Sequence, residues 1–295
     1  MKIKMPDEFK TDVPQTIGGK ILSATPVVMT VVATMLAGLS SSEMTRAQYD
    51  RSLAAQQQSK AGDQWSYFQA KRLRGSSQRN TLDLLQVTTD VRPVTAGRMS
   101  ASISETTLVA LQKGELPTVP PAPPLNANVK AALEAIENQK PETEIAHLLS
   151  EVTDDALAGS LTAARDQTAV LDAATKPVNQ AIDQLEQSLA VGDQPLRRDF
   201  TAARLRYTAA RYDAEARLNQ TIANLLELQV RKNNISAERH HRRSGRFFFG
   251  MLGAQAAVII ATFAIAARKR NLLWSLAAAA GAAAVSFAIY VYWFV

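Results

Sequence analysis

The sequence predicts an all-α integral membrane protein with three transmembrane helices, a long antiparallel, coiled-coil-like helical stalk and a helical membrane-distal insertion. Three observations carry this. Apolar content is concentrated in residues 21–40 and 247–295, which are nearly uncharged apart from Arg268, Lys269 and Arg270, whereas the residues between them are polar and helix-favouring. Two polar runs of about fifty residues, 42–92 and 197–246, carry apolar positions at helical steps, and each adjoins an apolar span. No Gly or Pro interrupts the later run between Leu196 and Ser244, so it extends for roughly 75 Å at about 1.5 Å per residue.

In chain order, residues 1–20 mix Lys2, Lys4, Lys10 and Lys20 with Asp7, Glu8 and Asp12. Pro6, Pro14 and the pair Gly18 and Gly19 discourage regular structure there, which predicts a flexible tail. Residues 21–40 supply about the 20 apolar positions needed to cross a hydrocarbon core of roughly 30 Å. Pro26, Thr30, Thr34 and Gly38 fall four apart on one face, and small residues at that spacing admit a close helix neighbour. The rival reading is a signal peptide with Gly38 and Ser40 near a cleavage point; the long, acid-containing tail argues against it.

In 42–92, Met44, Ala47, Ala54, Ala61, Trp65, Phe68, Leu82 and Leu85 recur at helical multiples, with Gly62 and Gly75 as soft spots. Ser42 can cap a new turn, or the membrane helix continues outward. In 197–246 a tighter stripe runs Phe200, Ala203, Tyr207, Ala210, Ala214, Leu218, Ile222, Leu225 and Gln229. A one-sided stripe needs a partner. Both runs leave the bilayer on the same side, so the sequence predicts that they pack together in opposite directions.

Between them, residues 93–196 form the insertion. Pro93 and Gly97 end the first run, 104–111 reads as a short helix, and 114–128, with five prolines, reads as a polyproline-like linker or stiff surface loop. Helices resume over 129–138, 142–152 and 154–191, the last with a break or kink at Pro177. Residues 128–193 hold twelve acids against four bases, while 194–246 hold twelve bases against five acids. Either the two segments face one another or both present solvated helix faces.

The final spans, 247–267 and 272–294, are joined by a turn short enough only for a tight hairpin. Trp274 and Trp293 sit about 28 Å apart along the last helix, one near each interface, with Tyr290 and Tyr292 reinforcing the second. Gly250, Gly253 and Gly281 offer small faces for close contact. Arg268, Lys269 and Arg270 in the short loop, with the lysines of the tail, favour an inner (plasma) membrane protein with an external or periplasmic stalk; Arg242, Arg243 and Arg246 argue the other way.

The run from Ala61 to Lys71, AGDQWSYFQAK, resembles the signature of a bacterial membrane-protein family catalogued as domain of unknown function 4337, whose members typically read ASDQWxYYQAK. The C-terminal part is similar too: a charged helix, the cluster Arg239, His240, His241, Arg242 and Arg243, a span, the tribasic turn 268–270, and a last span with Trp274 near its start. The resemblance covers about 21–92 and 200–295. It implies a helical three-span protein and supplies no activity. This chain departs from the pattern at Gly62 and Phe68 and in its hundred-residue insertion.

Few residues suggest chemistry. The chain has no Cys, so disulfides, thiol catalysis and thiolate metal sites are excluded. His240 and His241 are adjacent, about 100° apart on a helix, and do not make the i, i+4 chelating pair. His147 lies among Glu142, Glu144 and Glu151 without a nucleophile to activate. No phosphate loop, dinucleotide, nucleophile-elbow or zincin motif is present. No catalytic residue, cofactor or metal is expected, and no nucleic acid, because the bases are interspersed with acids and run toward a bilayer. The interaction candidates are Asp63, Gln64, Trp65, Tyr67, Phe68, Gln69 and Lys71, where aromatic and hydrogen-bonding groups sit side by side. Trp65 and Phe68 either fill the groove against Tyr207, Tyr212 or Leu218, or meet another subunit. Arg239, Arg242, Arg243, Arg246, Arg268, Lys269 and Arg270 read as a collar for lipid headgroups. The functional expectation is a non-catalytic, membrane-anchored scaffold or accessory subunit, as a homo-oligomer or within a larger membrane complex. The alternative is an oligomeric pore or a gate on a transporter, with Thr30, Thr34, Thr262, Ser275 and Ser286 as its available polar lining.

Overall fold

The structure, a computed structural model, describes residues 17–95, 97, 104–189, 193–266 and 270–294; for 17–23, 265–266, 270–271, 292 and 294 it describes the backbone alone. Of the expected tail, 1–20, residues 1–16 lie outside the described residues, as do the turn residues Arg268 and Lys269, and residues 17–20 are the first turn of α1. All regular structure among the described residues is helical: α1 (Ile17–Thr88), α2 (Glu105–Lys113), α3 (Ala127–Glu137), α4 (Glu142–Glu151), α5 (Asp154–Ser188), α6 (Gln194–Ala266) and α7 (Arg270–Phe294). Three helices, α1, α6 and α7, are long and apolar enough to cross a membrane. The chain forms two compact units, Met1–Leu53 with Asn233–Val295, and Ala54–Lys232.

The ends of the helices follow from their side chains. At the last turn of α1 two hydroxyls fold back on the helix, Thr88 Oγ1 donating to Leu84 O and Thr89 Oγ1 to Leu85 O, which also accepts from Thr89 N. Between the apolar span and the polar run nothing breaks it, and the alternative of a helix that continues outward is what the structure has. Asp193 Oδ1 accepts from Leu196 N at the start of α6, and Pro195 in the first turn forfeits a donor that has no partner there. Ser104 and Thr153 cap α2 and α5 through their hydroxyls. Gly114 ends α2 at φ 71°, where an added Cβ would lie 2.7 Å from Arg206 Cγ; both conformation and space require glycine. α5 continues through Pro177. The proline-rich stretch after Gly114 has no regular structure, and Gln167 Nε2 holds it to α5 by donating to Pro120 O.

In the Ala54–Lys232 unit, α6 is packed on two sides. Phe200, Ala203 and Tyr207 join Leu111 of α2 and Val178, Ile182 and Leu185 of α5 in one core, while Ala202 and Leu205 meet Leu82 of α1 in another. The stripe that begins at Phe200 therefore serves the insertion at this end of α6, and a second face meets α1. That second face repeats every seven residues. Ala202, Ala209, Ala216, Ala223 and Val230 are buried on α6, and Ala54, Ala61, Gly75 and Leu82 on α1, with half-buried Phe68 completing the series. Alanines and glycine seven residues apart, two helical turns, let backbones approach closely. The charge asymmetry is also used: Arg204 pairs with Glu186, Arg231 with Glu142 and Lys232 with Asp154.

In the unit that contains the spans, alanines make up much of the interior, beside the larger Met29, Leu36, Phe247 and Val291. Ala33, Ala254, Ala257, Ala261, Ala277 and Ala284 are buried, while Val27, Val31, Met35, Phe249, Ile259, Phe263 and Leu276 are exposed. That is the pattern of a bundle whose outer surface meets hydrocarbon and whose helices pack through small residues. Gly281 faces Met29 of α1, and Gly250 and Gly253 face Ala284 of α7.

Candidate functional site

Helix α1 turns one face of the predicted interaction segment toward α6. Trp65 Nε1 donates to Glu227 Oε1 at 2.7 Å, and its ring meets Phe68 edge-on, with centroids 5.4 Å apart and an 81° interplanar angle. Arg72 lies over the Phe68 ring at 5.8 Å. Lys71 pairs with Glu215, which Arg211 also reaches at 3.4 Å, and both cations lie beside the ring of Tyr212. One carboxylate thus holds cations from two helices in a largely buried position, where breaking the set is more costly than on the surface. Gln64 is half-buried, whereas Asp63, Tyr67 and Gln69 are exposed. Tyr207, one of the expected neighbours of Trp65, instead belongs to the core with α2 and α5. Phe68 also lines an open groove of about 620 Å³ with Arg72, Arg79, Asp213 and Arg217, of which Arg79 and Asp213 form an ion pair.

A second polar cluster lies in the unit of the spans, immediately outside the apolar stretches. His240 Nδ1 meets Glu43 Oε2 at 2.5 Å and its Nε2 lies 4.0 Å from Asp50 Oδ2, so each ring nitrogen faces a carboxylate. Ser40 and Ser244 exchange hydrogen bonds below it, each hydroxyl reaching the other residue's carbonyl. The two nitrogens point at different acids, so the histidine is a polar clasp between α1 and α6. Among the described residues no group of three His, Asp or Glu side chains is placed to hold a metal.

The basic collar is uneven. Arg239 is exposed, Arg242 donates to Glu238 at 2.9 Å, and Arg243 and Arg246 are half-buried. The Arg242 hydrogen bond, aided by Arg242, His241 and Arg51 charges, holds the Glu238 carboxyl below the usual range. The side chain of Arg270 is not among those described. Glu43, Asp50, Glu215 and Glu227 complete these clusters and were missed in the sequence because each acid lies far along the chain from the group it meets. The seven-residue alanine series Ala202, Ala209, Ala216 and Ala223 was the signal that could have set the two helices in register.

The family described as a domain of unknown function (DUF4337) matches residues 20–113, about a third of the chain. The match takes in the segment from Ala61 to Lys71 and continues through α2. No curated protein and no solved structure is detectably similar to the chain.

Proposed function

We propose that this chain, a third of which matches a domain of unknown function, is a non-catalytic, membrane-anchored helical scaffold or accessory subunit of a larger membrane assembly. In this reading α1 and α6 form an antiparallel, coiled-coil-like stalk outside the bilayer. The order of their contacts supports it within each unit. In one, Ser40 meets Ser244 and Glu43 meets His240; in the other, Trp65, Lys71 and Arg79 meet Glu227, Glu215 and Asp213.

The observation that carries the assembly role is an unpartnered apolar seam on α1. Leu73, Leu84 and Val87 are 70%, 64% and 86% exposed, and with the polar Ser77 and Asn80 between them they follow the three-and-four spacing of a coiled-coil seam. Side chains of this size on the polar part of a helix are what a partner helix, from a second copy or another subunit, would cover. Replacing Leu84 and Val87 together with Glu is expected to reduce the mass of the detergent-solubilised particle to that of a single chain, with helix content unchanged. A particle of unaltered mass that retains the same co-purifying proteins would remove the basis of this reading.

The pore alternative draws less support. Thr30, Thr34 and Thr262 each donate their hydroxyl to the carbonyl four residues back, leaving that donor nothing to offer a pore. For orientation we favour an inner-membrane protein with the stalk external or periplasmic, on the tribasic turn and the lysines of the tail. A phosphatase reporter fused after Val295 is expected to be active, and a fusion active only as a cytoplasmic reporter reverses the orientation.

A further inference from the structure

Where α1, α6 and α7 leave the apolar zone they enclose a cavity of about 370 Å³, lined by Leu39, Phe247 and Val291 on one side and by Glu43, Arg46 and Arg243 on the other. Its volume is that of a small-molecule site. The polar side is not self-satisfied. Glu43 is taken up by His240 and, at 3.8 Å, by Arg46. Arg243 lines it half-buried, with no hydrogen-bond or ion-pair partner for its guanidinium among the described residues. A guanidinium at the edge of a cavity with no counter-charge of its own favours an anion beside it.

The position of the cavity defines what that is. Arg243 precedes Phe247 by one helical turn, and the apolar run begins at Phe247. A ligand that fills the cavity must therefore be anionic at one end and hydrocarbon at the other. A guanidinium fork matches phosphate oxygens two at a time, and Arg46 and Arg243 together outweigh the one carboxylate. We propose that this cavity binds the phosphate of an anionic phospholipid, with Arg243 as the principal donor, Arg46 as the second cation, and the exposed Leu39 against the first methylenes of an acyl chain, while buried Phe247 and Val291 close its floor. This goes beyond the diffuse collar: one lipid per chain is held at a defined place, while Arg239 and Arg242 contribute attraction alone. It rests on the reading that the chain spans a membrane.

The test is native mass spectrometry of the full chain released from nanodiscs of phosphatidylcholine with and without phosphatidylglycerol. One retained phosphatidylglycerol per chain is expected, with retention falling about tenfold in R243Q and by a smaller factor in R46Q. R243K, which keeps the charge without the fork, should fall between wild type and R243Q. R239Q should match wild type, since Arg239 is exposed and away from the cavity lining. Equal losses in R239Q and R243Q would overturn the proposal in favour of a diffuse charge effect, as would equal retention of phosphatidylcholine. Displacement of the lipid by millimolar inorganic phosphate would make the site one for a free anion and overturn it too. Should R243Q not fold, R46Q and R243K decide by the same comparison. A chain that never enters the nanodisc overturns the spanning reading and this one with it, whereas a chain that enters without selective retention overturns this one alone.

Discussion

Phe200→Ala is expected to destabilise the Ala54–Lys232 unit by about 3–5 kcal/mol, the range for truncating a fully buried Phe. Phe200 is 1% exposed and sits among Val94, Leu111, Val178, Ile182 and Leu185, so α6 and the insertion, through α2 and α5, share the cavity its loss would leave. The neighbouring Tyr207→Phe should do the reverse. Tyr207 is equally buried, and its hydroxyl has no hydrogen-bond partner. Burial pushes its pKa up to about 12 from 10.0, with Arg211 opposing and Glu215 reinforcing the rise. Below pH 10 folded and unfolded chains both hold this proton; as pH rises through 12 the unfolded chain gives it up first, so folding weakens across that window. Removing the hydroxyl should leave stability unchanged or raise it by about 1 kcal/mol at neutral pH, and should abolish the Tyr207 contribution to the loss above pH 10. Denaturant unfolding of the full chain in mild detergent, with a pH series, measures all three effects. A loss below about 1 kcal/mol for Phe200→Ala would mean that this cluster is not the core.

Gly75→Leu should be nearly as damaging, by about 3 kcal/mol, through the opposite mechanism of overpacking. A Cβ on Gly75 would lie 3.1 Å from Asp213 Oδ1, 3.4 Å from Tyr212 Cβ and 3.6 Å from the carbonyl of Ala209. Alanine is accommodated if the carboxylate shifts, but the branched tip of Leu has only helix backbone ahead of it. α1 and α6 must part there, and the Arg79 to Asp213 ion pair next to it goes too. By contrast Gly62→Leu meets nothing within 4 Å of its Cβ and should be neutral to mildly stabilising, since glycine costs a helix about 1 kcal/mol relative to alanine. Cysteine cross-linking between residues 78 and 210, run on all three proteins, reads the separation directly. Equal cross-linking in wild type and Gly75→Leu would mean that the helices do not approach at this point.

That contrast locates what was legible in the residues. Two soft spots look alike as letters, and only the partner helix separates a required glycine from an incidental one. The three long apolar helices, the helical insertion and the small faces at Gly250, Gly253 and Gly281 followed from composition and spacing, because hydrocarbon and close packing act on any chain that carries them. The stripe from Phe200 to Gln229 was read correctly as an apolar face, but one stripe was assigned one neighbour, α1. Helix α6 has two, and Ala202, Ala209, Ala216 and Ala223 were passed over because alanine contributes little to any periodic apolar signal. At the candidate site, Trp65, Phe68 and Lys71 were identified as informative, and their carboxylate partners were not. Pairing over more than a hundred residues of sequence depends on register, which apolar spacing alone leaves open.

The spans put methyl groups and bare backbone inside, beside Leu36, Phe247 and Val291, and most of their bulky hydrocarbon outside. Their cohesion is therefore dispersion between well-fitted surfaces, which does not depend on an aqueous exterior and is not forfeited when one oily solvent replaces another. Extraction should release α1, α6 and α7 as a bundle and not as three strands, and the bundle should come apart only where a solvent molecule can wedge between facing alanines.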